Sequence, residues 1–318
     1  MQRRKFITLL GGAATWPIAA RAQRVPTVGF LQGVQNENVA AFVRGLKDAG
    51  YIEGQNVRIE TRIYGTKLDR LSDLANDIVG LPCNVIFAAA AYAIKAAMKA
   101  TTTIPIIGID LESDPVANGW VASIGRPGGN LTGLFLDLPE LSGKQIELLK
   151  ETVPTLARLG VIWDSTIGSA QFRAAETGAR ALGLELHSFP IQSSADFDNA
   201  FERAKTVRTD GIVVLSSPLI LGARVHIAEL ALKARLPTIS LFTLFPKTGG
   251  LMAYGPNLPE MYKRAAYYVD RILKGAKAEE IPIERPSRFD LVINLSTAKG
   301  LGLTVPPALL ARADEVIE

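Results

Sequence analysis

The chain has 318 residues, 48% hydrophobic and 21% charged, a balance that excludes a disordered or fibrous protein. One cysteine, Cys83, and two histidines, His187 and His226, exclude a disulfide framework and a Cys/His metal centre. The formal charge of +4 sits at the start: residues 1–22 hold Arg3, Arg4, Lys5 and Arg21 and no acid, which leaves 31 basic residues against 31 acidic ones and no basic excess for nucleic acid.

Residues 1–22 read as a signal peptide, with a basic start, an apolar stretch of about a dozen residues and the small-x-small triplet Ala20-Arg21-Ala22. Arg3-Arg4 followed by Lys5-Phe6-Ile7 resembles the twin-arginine export signal, although Gln2 stands where that signal usually has Ser or Thr. Gly11-Gly12 and Pro17 weaken the alternative of an amphipathic helix. No later stretch reaches the roughly 18 apolar residues of a membrane span. The expected mature protein starts at Gln23 and is a soluble periplasmic one.

From Val25 onward, β-rich runs alternate with stretches of helical period, the pattern of an α/β fold with largely parallel sheets. Strands are predicted at 27–31, 57–63, 85–88, 104–109 and 131–136, with helices near 37–49, 67–79, 91–101 and 115–122. That set makes one doubly wound, Rossmann-like domain. A second set repeats it: helix 140–152, strand 159–163, helix 168–182, strand 184–189, helix 195–206, strand 211–215, helix 219–235, and strands 238–240 and 251–254. A helix over 259–274, a strand over 289–294, a short helix and a last helix opened by Val305-Pro306-Pro307 complete the chain. The turn-rich segments 126–130 and 255–259 are hinge candidates.

The chemistry of a nucleotide enzyme is missing. Gln32-Gly33-Val34 after the first strand lacks G-x-G-x-x-G, no P-loop occurs, and there is no G-x-S-x-G elbow to use His187 or His226 as a base. Asp110, Glu112 and Asp114 crowd the end of a strand, where an open α/β sheet meets its ligand. A carboxylate there binds a cation or amine, acts as acid or base, or caps the next helix, and Asp114-Pro115 has the form of an N-cap with proline at N1.

Residues 36–57, ending in Gly50-Tyr-Ile-Glu-Gly-Gln-Asn-Val57, together with Ile104-Pro-Ile-Ile107, Asp114-Pro115, Pro127-Gly-Gly-Asn-Leu-Thr-Gly133, Ile272-Leu-Lys-Gly275, Ile281-Pro-Ile283, Leu291-Val-Ile-Asn-Leu295 and Ala298-Lys-Gly-Leu-Gly-Leu-Thr-Val-Pro306, occur in order along nearly the whole mature chain. The sequence resembles the periplasmic substrate-binding proteins of ABC transporters, in particular the tryptophan/tyrosine-type group of the type I periplasmic binding fold. The resemblance implies two Rossmann-like lobes joined by three interdomain crossings: lobe 1 from 25–133 plus 258–286, lobe 2 from 134–257 plus 287–318. It implies a non-enzymatic monomer without cofactor, metal or nucleic acid, closing on a small ligand, an amino acid or an aromatic or carboxylate compound, and delivering it to an inner-membrane permease. An exported enzyme using the strand-end carboxylates and a sensing module for a membrane receptor are the alternatives, while the segment before Val25 is too short for the helix-turn-helix of a repressor.

By the same resemblance the cleft is faced by Gln32, Asn36, Ala91, Tyr92, Asp110, Asp114, Asp164, Thr166, Ser169, Ser216, Ser217 and Phe242. Ala91-Tyr92 departs from the small hydroxyl residue usual in the amino-acid binders, and Trp163-Asp-Ser-Thr166 replaces an Asn-Glu-type loop. Hydroxyls beside helix N-termini suit a carboxylate, and Tyr92 and Phe242 suit an aromatic ligand or simply pack.

Overall fold

The computed structural model describes residues 25–33, 37–65 and 67–318. The leader at 1–22 and Asn36 lie outside the described residues. In chain order the first half holds β1 (Thr27–Gln32), α1 (Glu37–Asp48), β2 (Arg58–Ile63), α2 (Leu71–Val79), β3 (Val85–Ala89), α3 (Ala91–Ala100), β4 (Ile106–Asp110) and β5 (Leu131–Phe135). The second holds α4 (Leu138–Thr152), β6 (Arg158–Asp164), α5 (Ala170–Ala181), β7 (Glu185–Ile191), α6 (Asp196–Thr206), β8 (Gly211–Val214), α7 (Pro218–Gly222), α8 (Arg224–Ala234), β9 (Thr238–Ser240), α9 (Leu244–Lys247) and β10 (Met252–Pro256). The chain ends with α10 (Leu258–Leu273), β11 (Phe289–Asn294), α11 (Leu295–Gly300), α12 (Pro307–Leu310) and β12 (Glu315–Ile317).

The strands form two sheets, of order β2-β1-β3-β4-β5 and β12-β11-β10-β9-β8-β6-β7. All described pairings are parallel except β10 with β11. Continuous apolar runs such as Val85-Ile-Phe-Ala-Ala89 and Gly211-Ile-Val-Val214 are buried along their whole length because helices cover both faces. In the first sheet Phe30, Phe87 and Ile107 pack under α1 and α10, while Leu31, Ile86 and Ala88 pack under α2 and α3. In the second, Ile162, Ile212 and Val214 face α6 and α8, and Leu159, Val161 and Val213 face α4 and α5. Each lobe is thus a three-layer sandwich.

Close approach of two strands is decisive at Gly133. Gly133 on β5 has φ of 138°, and a Cβ there would lie 2.0 Å from the Gly108 carbonyl oxygen of β4.

The chain crosses between the lobes three times, after Phe135, after Pro256 and before Phe289, because α4 packs on the second sheet and α10 returns to the first. The crossings run side by side. Phe135 N–H donates to the Glu284 carbonyl at 3.0 Å and Glu284 N–H to the Gly133 carbonyl at 2.9 Å. Asn257 N–H donates to the Arg288 carbonyl at 3.1 Å, Pro256 pairs with Phe289, and Arg285 forms an ion pair with Asp137.

Three expectations are corrected. Residues 115–122 form turns rather than a helix, since Gly119 at φ 68° ends any helical run. The helix expected over 219–235 is broken at Ala223 into α7 and α8. Segment 126–130 is no crossing: it lies before β5, with Gly128 N–H on the Glu279 carbonyl, at the edge of the first sheet remote from the second.

Candidate functional site

The carboxyl ends of β1, β3 and β4 face those of β6, β8 and β9 across the interlobe cleft, and side chains from the two lobes touch there. Tyr92, at the second position of α3, places its hydroxyl 2.6 Å from the Thr166 hydroxyl of lobe 2. Thr166 in turn donates to Asp164 Oδ1 at 2.6 Å, and its backbone N–H donates to the same oxygen at 3.0 Å. The second contact is buried: Ser216 Oγ, just beyond β8, donates to Glu112 Oε1 at 2.6 Å. Ser216 is itself held by Gln171 of α5, which accepts from its N–H at 2.9 Å and donates to its carbonyl at 2.8 Å.

On lobe 1 the chain turns sharply after β4. Asp110 Oδ1 accepts from the Glu112 N–H at 2.9 Å, which folds Glu112 back beside it. Both carboxyl groups are buried, and burial pushes each above the ordinary carboxylate range, Glu112 furthest because Asp110 adds its negative charge. The Glu112 N–H, the Ser113 hydroxyl and the field of Lys95 favour the ionised form of Asp110 and oppose the effect of its burial, whereas the negative charge of Asp110 adds to that of burial at Glu112. Tyr64, after β2, and Tyr262, on α10, stand close enough that burial and the charge of Glu112 push their hydroxyls well up, and both remain neutral donors.

At the end of β3, Ala90 has φ of 78°, a conformation that costs a non-glycine residue about 1–3 kcal/mol. Its methyl group cannot cap α3, so the first-turn amides of that helix, beginning at the buried Ala91, meet no capping side chain.

The remaining expected residues fall into two groups. Gln32 is buried at the end of β1. Ser217 is buried and accepts from the Ile220 N–H at 3.1 Å, so its hydroxyl is a helix cap. Asp114 is exposed and accepts from the Val116 and Ala117 N–H groups at 2.9 and 3.0 Å, the capping role left open by its sequence. Ser169 receives a hydrogen bond from Arg173 at the start of α5. Phe242 is buried in the apolar core with Phe245 and Ile220, which is packing. Glu112, singled out with the strand-end acids, stands beside Asp110, and Gln171, Tyr64 and Tyr262 come close to these groups beyond the expected residues. His187 beside Glu185 and His226 beside Asp198 belong to lobe 2 away from it.

Among the described residues no group of three or more His, Cys, Asp or Glu side chains is arranged to hold a metal, and no helix is long and apolar enough to cross a membrane. The site is built for contact made from both sides at once, with carboxyl and hydroxyl groups but no guanidinium in the buried contacts.

The sequence model described as "ABC transporter substrate binding protein" matches residues 32–317. The chain is similar to the tyrosine-binding protein of Clostridioides difficile (strain R20291), at 24% identity over 296 residues that cover 89% of this chain and 82% of that protein. Among solved structures it is similar to a conserved domain protein from Vibrio cholerae (27% identity, TM-score 0.86, covering 92% of this chain and 100% of that one). A domain from Streptococcus pneumonia in complex with L-Trp has the same fold (24% identity, TM-score 0.83, covering 92% and 99%). Two parallel-sheet lobes joined by three crossings are the type I periplasmic binding architecture, and with a match running from the first strand to the last the chain belongs to the ABC transporter substrate-binding proteins.

Proposed function

We propose that the protein is the extracytoplasmic solute-binding component of an ABC uptake transporter, exported by the leader at 1–22, and that it closes as a monomer on a small amino-acid-like ligand and delivers it to a permease. The observation that carries this reading is the pair of contacts made across the cleft, Tyr92 to Thr166 and Glu112 to Ser216. A ligand touching both sides stabilises the closed state through contacts that the open state lacks. Lobe 1 (25–133 plus 258–286) and lobe 2 (134–257 plus 287–318) are the moving bodies in this account, and Asp110, Glu112 and Asp164 supply acceptors for an amino group. The names of the relatives, which bind tyrosine or L-Trp, support an amino acid with an aromatic side chain.

Because the ligand binds the native state alone, a hundredfold excess over Kd is expected to stabilise the protein by about 2.7 kcal/mol. Thermal unfolding against a panel of amino acids, peptides, sugars and aromatic acids, with the scattering radius measured alongside, tests this. No shift and no compaction with any compound would remove the clamp reading. N-terminal sequencing of the native protein is expected to begin at Gln23, and replacing Arg3 and Arg4 by Lys is expected to impair export by the twin-arginine route.

A further inference from the structure

The closed cleft holds two carboxyl groups where charge balance allows only one to be ionised. Asp110 is 0% and Glu112 5% exposed, and the Glu112 N–H on Asp110 Oδ1 at 2.9 Å holds the two buried carboxyl groups beside each other. Two carboxylates in contact in a low-dielectric site repel strongly, so the arrangement requires either a shared proton or a cation. Asp110 Oδ2 and Glu112 Oε2 are buried without a donor of their own among the described residues. The titratable and charged groups that face the pair are Tyr64 from the loop after β2, Tyr92 and Lys95 from α3, and Tyr262 from α10, with Asp164 of lobe 2 reaching Tyr92. Lys95 is the cation among them, and its ammonium group lies over the Trp120 ring, 5.7 Å from the ring centre, rather than against either carboxyl group. The pair is joined to lobe 2 through Glu112 and Ser216 alone of its hydrogen bonds described above.

We propose that Asp110 and Glu112 form an exchange site in which one shared proton and the ammonium group of a ligand are alternative occupants: the proton lets the empty lobes close onto Ser216, and an arriving ammonium expels it. In the exchange the carboxyl O–H of the pair breaks, its proton leaves to solvent, and the ligand N–H groups donate to the two carboxylates. The site gains one positive charge and loses one, and no covalent bond to the ligand forms. When the proton leaves with no cation to replace it, repulsion drives Glu112 toward water and the Ser216 contact parts. The ammonium half rests on the amino-acid-binding reading above, whereas the proton half does not.

Two measurements test the halves separately. Small-angle scattering of the ligand-free mature protein from acid to alkaline pH is expected to show a radius that grows as the pair loses its proton. Glu112→Gln, which keeps a neutral donor beside Asp110, and Asp110→Asn, which removes the other charge, are expected to stay compact throughout. A wild-type radius independent of pH, or the same growth in both variants, overturns the proton half. Calorimetry in two buffers of different ionisation heat then uses L-tyrosine, tyramine and 3-(4-hydroxyphenyl)propanoate as probes. The two amines are expected to release about one proton on binding below the pair's titration, and the deaminated acid none. Binding of the amines without proton release, or no binding by either amine, overturns the ammonium half, and an unaltered release in Glu112→Gln would assign the proton to another group.

Discussion

Glu112 is expected to make the ligand-free protein sensitive to alkali. Its carboxyl group is held well above the ordinary range in the folded state, so the fold keeps a proton that the unfolded chain has already lost. Its stabilising effect is complete below the usual glutamate range and is lost as pH rises from there through the raised folded value, by up to about 1.4 kcal/mol per pH unit for one proton. Asp110, raised in the same direction, adds to the trend. Urea unfolding of the ligand-free protein across that window is expected to show a falling stability for the wild type and a flatter one for Glu112→Gln, and parallel curves would refute the assignment. The strand-end rule already pointed to the acids at 110, 112 and 114. Regular alternation would have aimed all three alike, yet the turn closed by Asp110 on the Glu112 N–H buries the first two and leaves Asp114 outside as a cap. Gln171 and Tyr262 carried no comparable signal, because they reach the cleft from helices whose angle to the sheet is set by packing. Tyr64, one residue past β2, is a position the same strand-end reasoning would reach.

At the scale of elements, the predicted strands and most helices were legible because buried parallel strands are short, β-branched and bounded by turns. What failed depended on context. An apolar run through Asn118-Gly119 looks helical until the glycine turns left-handed, and one through Gly222-Ala223 looks continuous although one helix ends and the next begins at Ala223. The strand β12 is three residues long and exists by pairing with β11, a partner distant from it in no obvious pattern. Gly133 gives the sharpest test of the first lobe. Gly133→Ala is expected to destabilise by about 3 kcal/mol or more, since the methyl group meets the Gly108 backbone and the residue is forced to φ 138°. Chemical denaturation would measure it, and a loss under 1 kcal/mol (about one ordinary mutation) would mean that β4 and β5 separate easily.

For the molecule as a whole, the hydroxyl pair of Tyr92 and Thr166 is a contact that exists only when the lobes are together. A neutral hydrogen bond of about 1 kcal/mol corresponds to roughly fivefold in the closing equilibrium, so Tyr92→Phe and Thr166→Ala are each expected to weaken ligand binding by about that factor. The double variant is expected to be little worse than either single one, and full additivity of the losses would show that the two hydroxyls act independently. The form of the closing motion proposed above follows from the way the three crossings are sewn together. Asn257 on Arg288, Phe135 on Glu284 and Arg285 beside Asp137 turn three separate strands of chain into one narrow hydrogen-bonded ribbon. A ribbon bends easily across its width, but it resists shear, because sliding one strand past its neighbour breaks every rung at once. In that account the lobes are expected to share a single mechanical coordinate, an opening angle, and label pairs placed anywhere on the two bodies should report distances that rise and fall together along one curve.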